Sequence, residues 1–189
     1  MNGKNVPSPS RVCPWWLAPT FDNPLRRWVH NPERILGDLV GTGDWALDLG
    51  CGMGYFTIAL AQRVGPGGQV IAVDLQEQML RRARQRAERA GVVERIRFHR
   101  NTPQSIGLVE AVDFALAFWM VHEVARPEDF LREVRGLLKP GAHFLLVEPV
   151  LHVSQAAFQR TIDIAQSAGL EQSKPWRVGL SRAVVFELN

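Results

Sequence analysis

The sequence predicts an α/β fold in which a parallel sheet is covered by helices on both faces and ends in an antiparallel hairpin. Five apolar, strand-like runs alternate with helical segments, at residues 45–49, 69–73, 95–99, 113–119 and 142–148. This alternation is typical of a parallel sheet between two helical layers. Two further runs, 170–178 and 180–188, are separated by Gly179 alone, and so short a connection requires antiparallel neighbours.

The segments between the first five runs carry apolar residues three or four positions apart. Spacing of this kind predicts amphipathic helices. The stripes are Phe56, Leu60 and Val64; Met79, Ala83, Ala87 and Ala90; and Phe130, Val134 and Leu137. Gly91 follows the second stripe as a C-terminal cap, and a last helix is predicted over about 154–168.

The chain divides into an N-terminal extension, residues 1–40, and one domain, residues 41–189. Residues 1–12 are polar and proline-rich, which predicts disorder. The rest of the extension is rich in aromatic side chains, which we expect to form a lid over the site, to bury against the sheet, or both. These side chains are Trp15, Trp16, Phe21 and Trp28.

Two helix starts are predicted in the extension. Asp22 or Asn23 caps a first helix, and Asn31, followed by Pro32, caps a second. Gly41 is predicted to end this second helix.

Composition excludes several classes of protein. With 46% hydrophobic and 22% charged residues, the chain resembles ordinary globular proteins. Its longest apolar run, 114–121, is far shorter than the ~20 residues of a membrane helix, and no signal peptide is visible. We therefore expect a cytoplasmic protein with no membrane span. Cys13 and Cys51 form no CxxC pair, so no disulfide framework or bound metal is expected.

Basic residues cluster in "RRARQRAER", residues 81–89. Such a cluster binds phosphate groups in some proteins. Glu77, Glu88 and Glu94 are interleaved with these arginines, however, which favours a solvated helix face. With a net charge of only +3, nucleic acid is not the expected partner.

The segment "WALDLGCGMGYF", residues 45–56, places a glycine-rich turn directly after the first strand. Turns of this kind hold dinucleotides, nucleoside triphosphates or S-adenosylmethionine. Asp74, twenty residues past Gly54, is placed to bind a ribose. Asp48, two residues before Gly50, would repel a phosphate but suits a cationic ligand such as S-adenosylmethionine. The antiparallel hairpin also departs from the sheet of dinucleotide-binding proteins.

Five segments together resemble the class I S-adenosylmethionine-dependent methyltransferases, of the type 11 or ubiquinone-biosynthesis-like branch. They are "ALDLGCGMGYFTIALA" (46–61), "VIAVDLQEQML" (70–80), "FWMVHEV" (118–124), "LREVRGLLKPGAHFLLVEP" (131–149) and "SRAVVFEL" (181–188). The resemblance covers about residues 30–188. It implies a Rossmann-like three-layer sandwich around a seven-stranded sheet in the order 3-2-1-4-5-7-6, with strand 7 antiparallel.

The resemblance also implies a cofactor site. Asp74 would accept both ribose hydroxyls, a charge-assisted interaction, and Leu75 and Met79 would enclose the adenine or serve as plain core. Asn101 or Thr102 stands where the family usually has an acid that binds the adenine amino group, and an amide oxygen can accept the same bond. The full predicted set is Asp48, Gly50, Cys51, Gly52, Gly54, Tyr55, Asp74, Leu75, Met79, Asn101, Thr102, Phe118 and Trp119.

Chemistry is expected after strand 4, where His122 and Glu123 would face the transferred methyl group. His122 titrates near neutrality, so it is either a general base or a structural support of its loop. His152 is a weaker candidate. The chain has no Asn-Pro-Pro-Tyr segment and no Pro-Cys after strand 4, which argues against amino-methylation of adenine or glutamine and against cytosine C5 chemistry.

The sequence thus predicts a methyltransferase that uses S-adenosylmethionine on a small, apolar or aromatic acceptor. Two alternatives remain open. One is a module that binds S-adenosylmethionine without transferase activity, and the other is an RNA methyltransferase that uses the arginines of residues 81–89. A homodimer is compatible with all three.

Overall fold

The computed structural model describes residues 29–188. Five α-helices and seven strands follow in the order α1 (Pro32–Leu36), β1 (Trp45–Leu49), α2 (Tyr55–Val64), β2 (Gln69–Asp74), α3 (Glu77–Arg89), β3 (Ile96–Arg100), β4 (Val112–Phe118), α4 (Pro127–Leu137), β5 (Leu138–Pro149), α5 (Gln155–Ser167), β6 (Glu171–Pro175) and β7 (Ser181–Glu187). Short 3₁₀ turns at Val93–Arg95 and Val121–Glu123 precede β3 and follow β4.

The seven strands form one sheet in the order β3-β2-β1-β4-β5-β7-β6. Pairs β1–β2, β1–β4, β2–β3 and β4–β5 are parallel. Strand β7 runs antiparallel to both β5 and β6. The predicted fold class, strand order and antiparallel seventh strand are confirmed.

Helices cover both faces of the sheet, as the alternating strand pattern requires. On one face, Leu131 of α4 and Ile162 of α5 pack over alternate strand residues such as Phe144 and Phe186. On the other face, the neighbouring strand positions pack with α1, α2 and α3. Strands β1, β2, β4, β5 and β7 therefore contribute to both cores, and their consecutive residues point to opposite sides of the sheet.

Helix α1 is shorter than predicted. Asn31 caps it as expected, accepting hydrogen bonds from the backbone of Glu33 and Arg34, but it ends at Gly37 and not at Gly41. Gly37 has a φ of 49°, and Arg63 donates to its carbonyl oxygen and to that of Val40. Both carbonyl groups belong to residues that follow α1, so these bonds hold the connection between α1 and β1 against α2.

The connection between β6 and β7 is longer than the single glycine predicted. Residues 176–180 join the two strands. Trp176 is the first residue of this connection, and its indole Nε1 donates to the carbonyl of Ile35 at 2.7 Å. This contact ties the hairpin to α1.

The carboxyl ends of the parallel strands meet at one edge of the sheet, which we call the carboxyl edge. Strand β7 begins at the same edge, where Ser181 lies opposite Pro149 of β5. The first described residues also lie at this edge, because the His30 imidazole is 2.9 Å from the carbonyl oxygen of Gly179. The predictions for residues 1–28, including the first helix, the aromatic lid and Cys13, lie outside the described residues.

Two surface features bear on the expected partners. No helix in residues 29–188 is long and apolar enough to cross a membrane. Several arginines of α3 contact their neighbours: Arg81 pairs with Glu77, and the Arg84 guanidinium lies 4.5 Å from the centre of the Phe98 ring. These contacts agree with the interpretation of residues 81–89 as a helix face with mixed charge.

A matched pair of leucine substitutions tests this account of the core. Leu145 in β5 is fully buried, whereas 88% of Leu151 is exposed. We expect Leu145→Ala to lower the free energy of unfolding by about 2–5 kcal/mol, because it removes buried contacts and leaves a cavity. Leu151→Ala should change it by less than about 0.5 kcal/mol. Urea unfolding measures both, and equal effects would contradict the core described here.

Candidate functional site

A cavity of about 210 Å³ opens at the carboxyl edge. The glycine turn after β1, the ends of β2 to β4 and the start of α4 form its walls. Of the predicted site residues, those lining the cavity are Gly50, Gly52, Asp74, Leu75, Met79, Asn101, Thr102, Trp119 and Glu123. Those outside its lining are Asp48, Cys51, Gly54, Tyr55, Phe118 and His122.

The glycine turn fits closely around its neighbours. Gly50 has a φ of 68°, and a Cβ at this position would lie 2.9 Å from Cβ and Cγ of Met120. A side chain at Gly50 would therefore displace Met120 from the cavity wall. Gly52 has a φ of 53°, and a Cβ there would meet no atom within 4 Å, so this part of the turn leaves room for a ligand.

Asp74 ends β2 with its carboxylate held in a fixed orientation. Its Oδ2 accepts from the backbone N–H of Gly52 at 2.9 Å, and its Oδ1 accepts from that of Gln76 at 2.8 Å. Burial raises the pKa of Asp74, and the two backbone hydrogen bonds oppose that rise. Each oxygen keeps a lone pair, so Asp74 can accept further hydrogen bonds from a ligand.

Asn101 lines the cavity and has a hydrogen-bond acceptor that no described residue uses. Its Nδ2 donates to the carbonyl of Thr102 at 3.2 Å, whereas its Oδ1 is buried with no hydrogen-bond partner among the described residues. Buried polar atoms in native proteins are almost always bonded. Glu133 of α4 accepts from Ser105 Oγ at 3.1 Å and from the Ile106 N–H at 2.6 Å, which fixes the following loop against the cavity.

Asp48 lies beneath the glycine turn. It is 2% exposed, and its Oδ2 accepts from the hydroxyl of Thr57 in α2 at 2.5 Å. This bond joins the end of β1 to the helix that follows the turn. Asp48 is thus placed to support the turn from below.

Cys51 and Gly54 also serve the packing of the turn. The Cys51 N–H donates to the carbonyl of Val73 at 2.9 Å. Burial, with the charges of Asp48 and Asp74, raises the pKa of the Cys51 thiol well above its usual range, so the group stays protonated. A Cβ on Gly54 would lie 3.0 Å from that of Ala83, so Gly54 lets the turn approach α3.

Phe118 and Tyr55 belong to an aromatic cluster on the side of the sheet that faces α2. The Phe118 ring lies 4.5 Å from that of Phe56, and the Tyr55 hydroxyl donates to the carbonyl of His30 at 3.0 Å. Trp119 joins this cluster to the cavity. Its φ is 60°, and its Nε1 donates to Ser181 Oγ at 2.9 Å.

His122 is bound by a carboxylate that the sequence analysis did not assign to the site. Glu148, near the end of β5, is 1% exposed. Its Oε1 accepts from the His122 backbone N–H at 2.9 Å, and its Oε2 lies 2.6 Å from His122 Nδ1. Glu123, which lines the cavity, has its Oε1 3.9 Å from Nε2 of His122.

The pKa of His122 reflects two opposing effects. Burial alone would lower it, but the hydrogen bond and charge of Glu148, with the charge of Glu123, raise the pKa above its ordinary value of 6.5. More of the imidazole is therefore protonated at neutral pH than in a free histidine. The ring of His152 lies 6.2 Å from that of His122, at the rim of the same edge.

Two acidic residues were missed for different reasons. Glu148 lies near the end of the buried strand "FLLVEP", and it was missed because Asp48 and Asp74 were identified by their spacing from the glycine turn. Glu133 lies in the middle of α4, and nothing in the sequence marks it as part of the cavity wall. Within residues 29–188, no group of three or more His, Cys, Asp and Glu side chains could hold a metal ion.

Comparison with known proteins identifies the family. A family model described as a methyltransferase domain matches residues 42–175.

The chain belongs to this family.

The match confirms the prediction of a class I S-adenosylmethionine-dependent methyltransferase. It also confirms S-adenosylmethionine as the methyl donor of this class.

Two curated relatives of this methyltransferase are named for quinone biosynthesis. A demethylmenaquinone methyltransferase from Lactobacillus johnsonii is 31% identical over 110 residues, which cover 58% of this chain and 45% of the relative. A ubiquinone/menaquinone biosynthesis C-methyltransferase from Pasteurella multocida is 30% identical over 110 residues, covering 58% of this chain and 41% of the relative. The chain thus matches less than half the length of these two relatives.

A solved structure agrees with the fold over almost the whole methyltransferase. The crystal structure of a SAM dependent methyltransferase from Aquifex aeolicus superposes with a TM-score of 0.84 at 23% identity. The match covers 94% of this chain and 100% of the other. At this identity the likeness establishes the fold.

The raised pKa of His122 predicts a pH dependence of stability. A group whose pKa is higher in the folded state stabilises that state fully below its unfolded pKa, and this contribution is lost as pH rises through the folded pKa. We therefore expect the difference in unfolding free energy between wild type and His122→Gln to be larger at about pH 5.5 than at about pH 9. Urea unfolding at the two pH values measures it. A difference that is independent of pH would contradict the contact between His122 and Glu148.

Proposed function

We propose that this methyltransferase holds S-adenosylmethionine in the cavity at the carboxyl edge and transfers the methyl group to a small, apolar or aromatic acceptor. The observation that carries the proposal is the set of groups that share the cavity: the open glycine turn, the buried carboxylate of Asp74 and the unpartnered Oδ1 of Asn101. When bound, S-adenosylmethionine supplies an electrophilic methyl group on a positively charged sulfur.

Asn101 fits the adenine. Its Oδ1 lacks a donor, and the amino group of adenine offers one. A neutral amide accepts this bond without burying another charge, whereas an aspartate here would add a carboxylate near Asp74. The amide is already oriented, because its Nδ2 is bonded to the carbonyl of Thr102.

Asp74 fits the ribose. Its two backbone hydrogen bonds leave one lone pair on each oxygen, which matches the two adjacent hydroxyls of a ribose. Burial raises the pKa of Asp74, so its ionised form lacks part of the solvation it has in water. Ribose hydroxyls would replace that solvation, and binding would stabilise the carboxylate.

Part of the cavity wall is apolar, and we assign the acceptor to it. Trp119, Met120, Val124 and Phe130 form this part, and charged side chains of Glu123, Arg126, Asp129 and Glu133 lie among them. Apolar walls with few polar groups are typical of sites for small molecules. The names of the two quinone-biosynthesis relatives support an acceptor of this kind.

Titration with S-adenosylhomocysteine, the product of the donor, tests the proposed site. We expect wild type to bind and Asp74→Asn to bind at least about tenfold more weakly, because hydrogen bonds to a charged group contribute about 1.5–3 kcal/mol each. The control is Asp163→Asn, the same change at an exposed position of α5, which should bind like wild type. Isothermal titration calorimetry measures all three.

Two results of this titration would count against the proposal. Absence of binding by wild type up to about millimolar concentration, together with binding of NAD, would indicate a dehydrogenase-like module. Equal affinity of Asp74→Asn and wild type would place the ligand elsewhere. Binding without methyl transfer to any member of a broad acceptor panel would favour a module that only binds the cofactor.

A second titration tests the adenine contact of Asn101. S-inosylhomocysteine carries an oxo group where S-adenosylhomocysteine carries the amino group, so it offers no donor there. Wild type should prefer S-adenosylhomocysteine by about tenfold, the value of one hydrogen bond to an otherwise unsatisfied group. Asn101→Leu should lose this preference, and Asn101→Asp should keep it. An unchanged preference in Asn101→Leu would rule out the contact.

A further inference from the structure

Glu148 and His122 form a unit beside the cavity. Glu148 is almost completely buried, and both of its oxygens face the same histidine: Oε1 bonds the backbone N–H and Oε2 lies 2.6 Å from Nδ1. Two bonds from one residue fix the position of the 3₁₀ turn and the orientation of the imidazole together. A single contact would leave the ring free to rotate.

This geometry selects one tautomer of the neutral imidazole. An ionised carboxylate only accepts hydrogen bonds, so Nδ1 must carry the hydrogen. The lone pair is then on Nε2, as in other histidines whose second nitrogen is bonded to a carboxylate. Nε2 lies 3.9 Å from the carboxylate of Glu123, and Glu123 is part of the cavity wall.

Charged and titratable groups face this unit from every neighbouring element. Glu148 reaches His122 from β5, Glu123 lies on the same 3₁₀ turn, and His152 approaches from the loop after β5. Arg182 of β7 is paired with Glu148 in the sheet register, and its Nε donates to Gln155 Oε1 at 3.0 Å. The two carboxylates hold a proton on His122 more strongly than water does, which suits a group that receives one.

We propose that Glu148 positions His122 as the general base of this enzyme, and that the acceptor presents an O–H or N–H nucleophile which must lose its proton. This inference rests on the proposed function, since it takes the cavity as the cofactor site. It assigns Glu148 a positioning role and His122 the proton transfer. It also selects an acceptor class: phenols, other acidic hydroxyl compounds and amines, in contrast to thiols, which react as thiolates.

The proposed step balances in atoms and charge. The acceptor oxygen or nitrogen forms a bond to the methyl carbon as the carbon–sulfur bond breaks, and the electron pair of that bond stays on sulfur. The proton of the acceptor passes to Nε2 of His122. The positive charge that leaves the sulfur is thus matched by the one that appears on the imidazole, where Glu148 and Glu123 stabilise it.

The tautomer can be measured in the unmodified protein. With ¹⁵N-labelled histidine, NMR above the pKa of His122 should show Nδ1 protonated and Nε2 unprotonated, and His122→Gln assigns the signals among the five histidines. In Glu148→Gln the pKa of His122 should fall. Detection of the Nε2-protonated tautomer in wild type would overturn the proposal, because that nitrogen could not accept a proton.

Activity separates a positioning role from a purely structural one. Methyl transfer to a panel of phenols should fall by at least about tenfold in Glu148→Gln, since general base catalysis contributes about 10²–10⁴-fold. Transfer to the corresponding thiophenols, assayed as thiolates, should change by less than about twofold, because no proton has to be removed. Glu128→Gln, the same change at an exposed position of α4, is the control and should leave both rates unchanged.

Equal losses for phenols and thiophenols would mean that Glu148 supports the loop and nothing more, which would overturn the proposal. Methylation of thiophenols alone by wild type would overturn the acceptor class. Titration with S-adenosylhomocysteine distinguishes a failure of this inference from a failure of the proposed function. If it binds to wild type while the NMR tautomer is wrong, only this inference fails. If it does not bind, the proposed function fails first.

Discussion

The carboxyl edge of the sheet is organised by three buried carboxylates, Asp48, Asp74 and Glu148, each at or near the end of a strand. A buried charge is costly unless hydrogen-bond donors surround it. Asp48 receives the hydroxyl of Thr57, Asp74 receives two backbone N–H groups, and Glu148 receives both N–H groups of His122. These donors lie in the segments that follow the strands, so satisfying the carboxylates also fixes the loops around the cavity.

The same arrangement gives the edge its chemistry. The carboxylates at this edge would repel a phosphate group. They are suited to a ligand that carries positive charge and hydroxyl groups. Asp74 and Asn101 contribute polar groups to the cavity lining, and Trp119 and Met120 contribute apolar ones. His122 lies outside this lining, with Nδ1 toward the buried Glu148 and Nε2 3.9 Å from the carboxylate of Glu123. In the function proposed above, ligand binding and proton transfer depend on different carboxylates.

Much of this could be predicted from local sequence signals. Strand–helix alternation predicted the sheet, and the family resemblance predicted its strand order. The spacing of Asp74 from the glycine turn predicted its place in the site. The structure differs from the sequence-based expectations at positions where tertiary contacts determine the direction of a side chain or the length of a loop. Asp48 and Phe118 are at strand ends but point toward α2, because consecutive strand residues face opposite sides of the sheet. In the connection between β6 and β7, Trp176 bonds to α1, a contact between residues 141 positions apart that no local pattern reveals.

In the proposed function, the unpartnered oxygen of Asn101 and the fixed carboxylate of Asp74 together receive the donor molecule. A crystal structure with S-adenosylhomocysteine tests it most directly. The account predicts the adenine amino group within about 3.2 Å of Asn101 Oδ1 and both ribose hydroxyls at similar distance from the Asp74 carboxylate. A ligand bound outside this cavity, or one that leaves Asn101 Oδ1 without a donor, would contradict it.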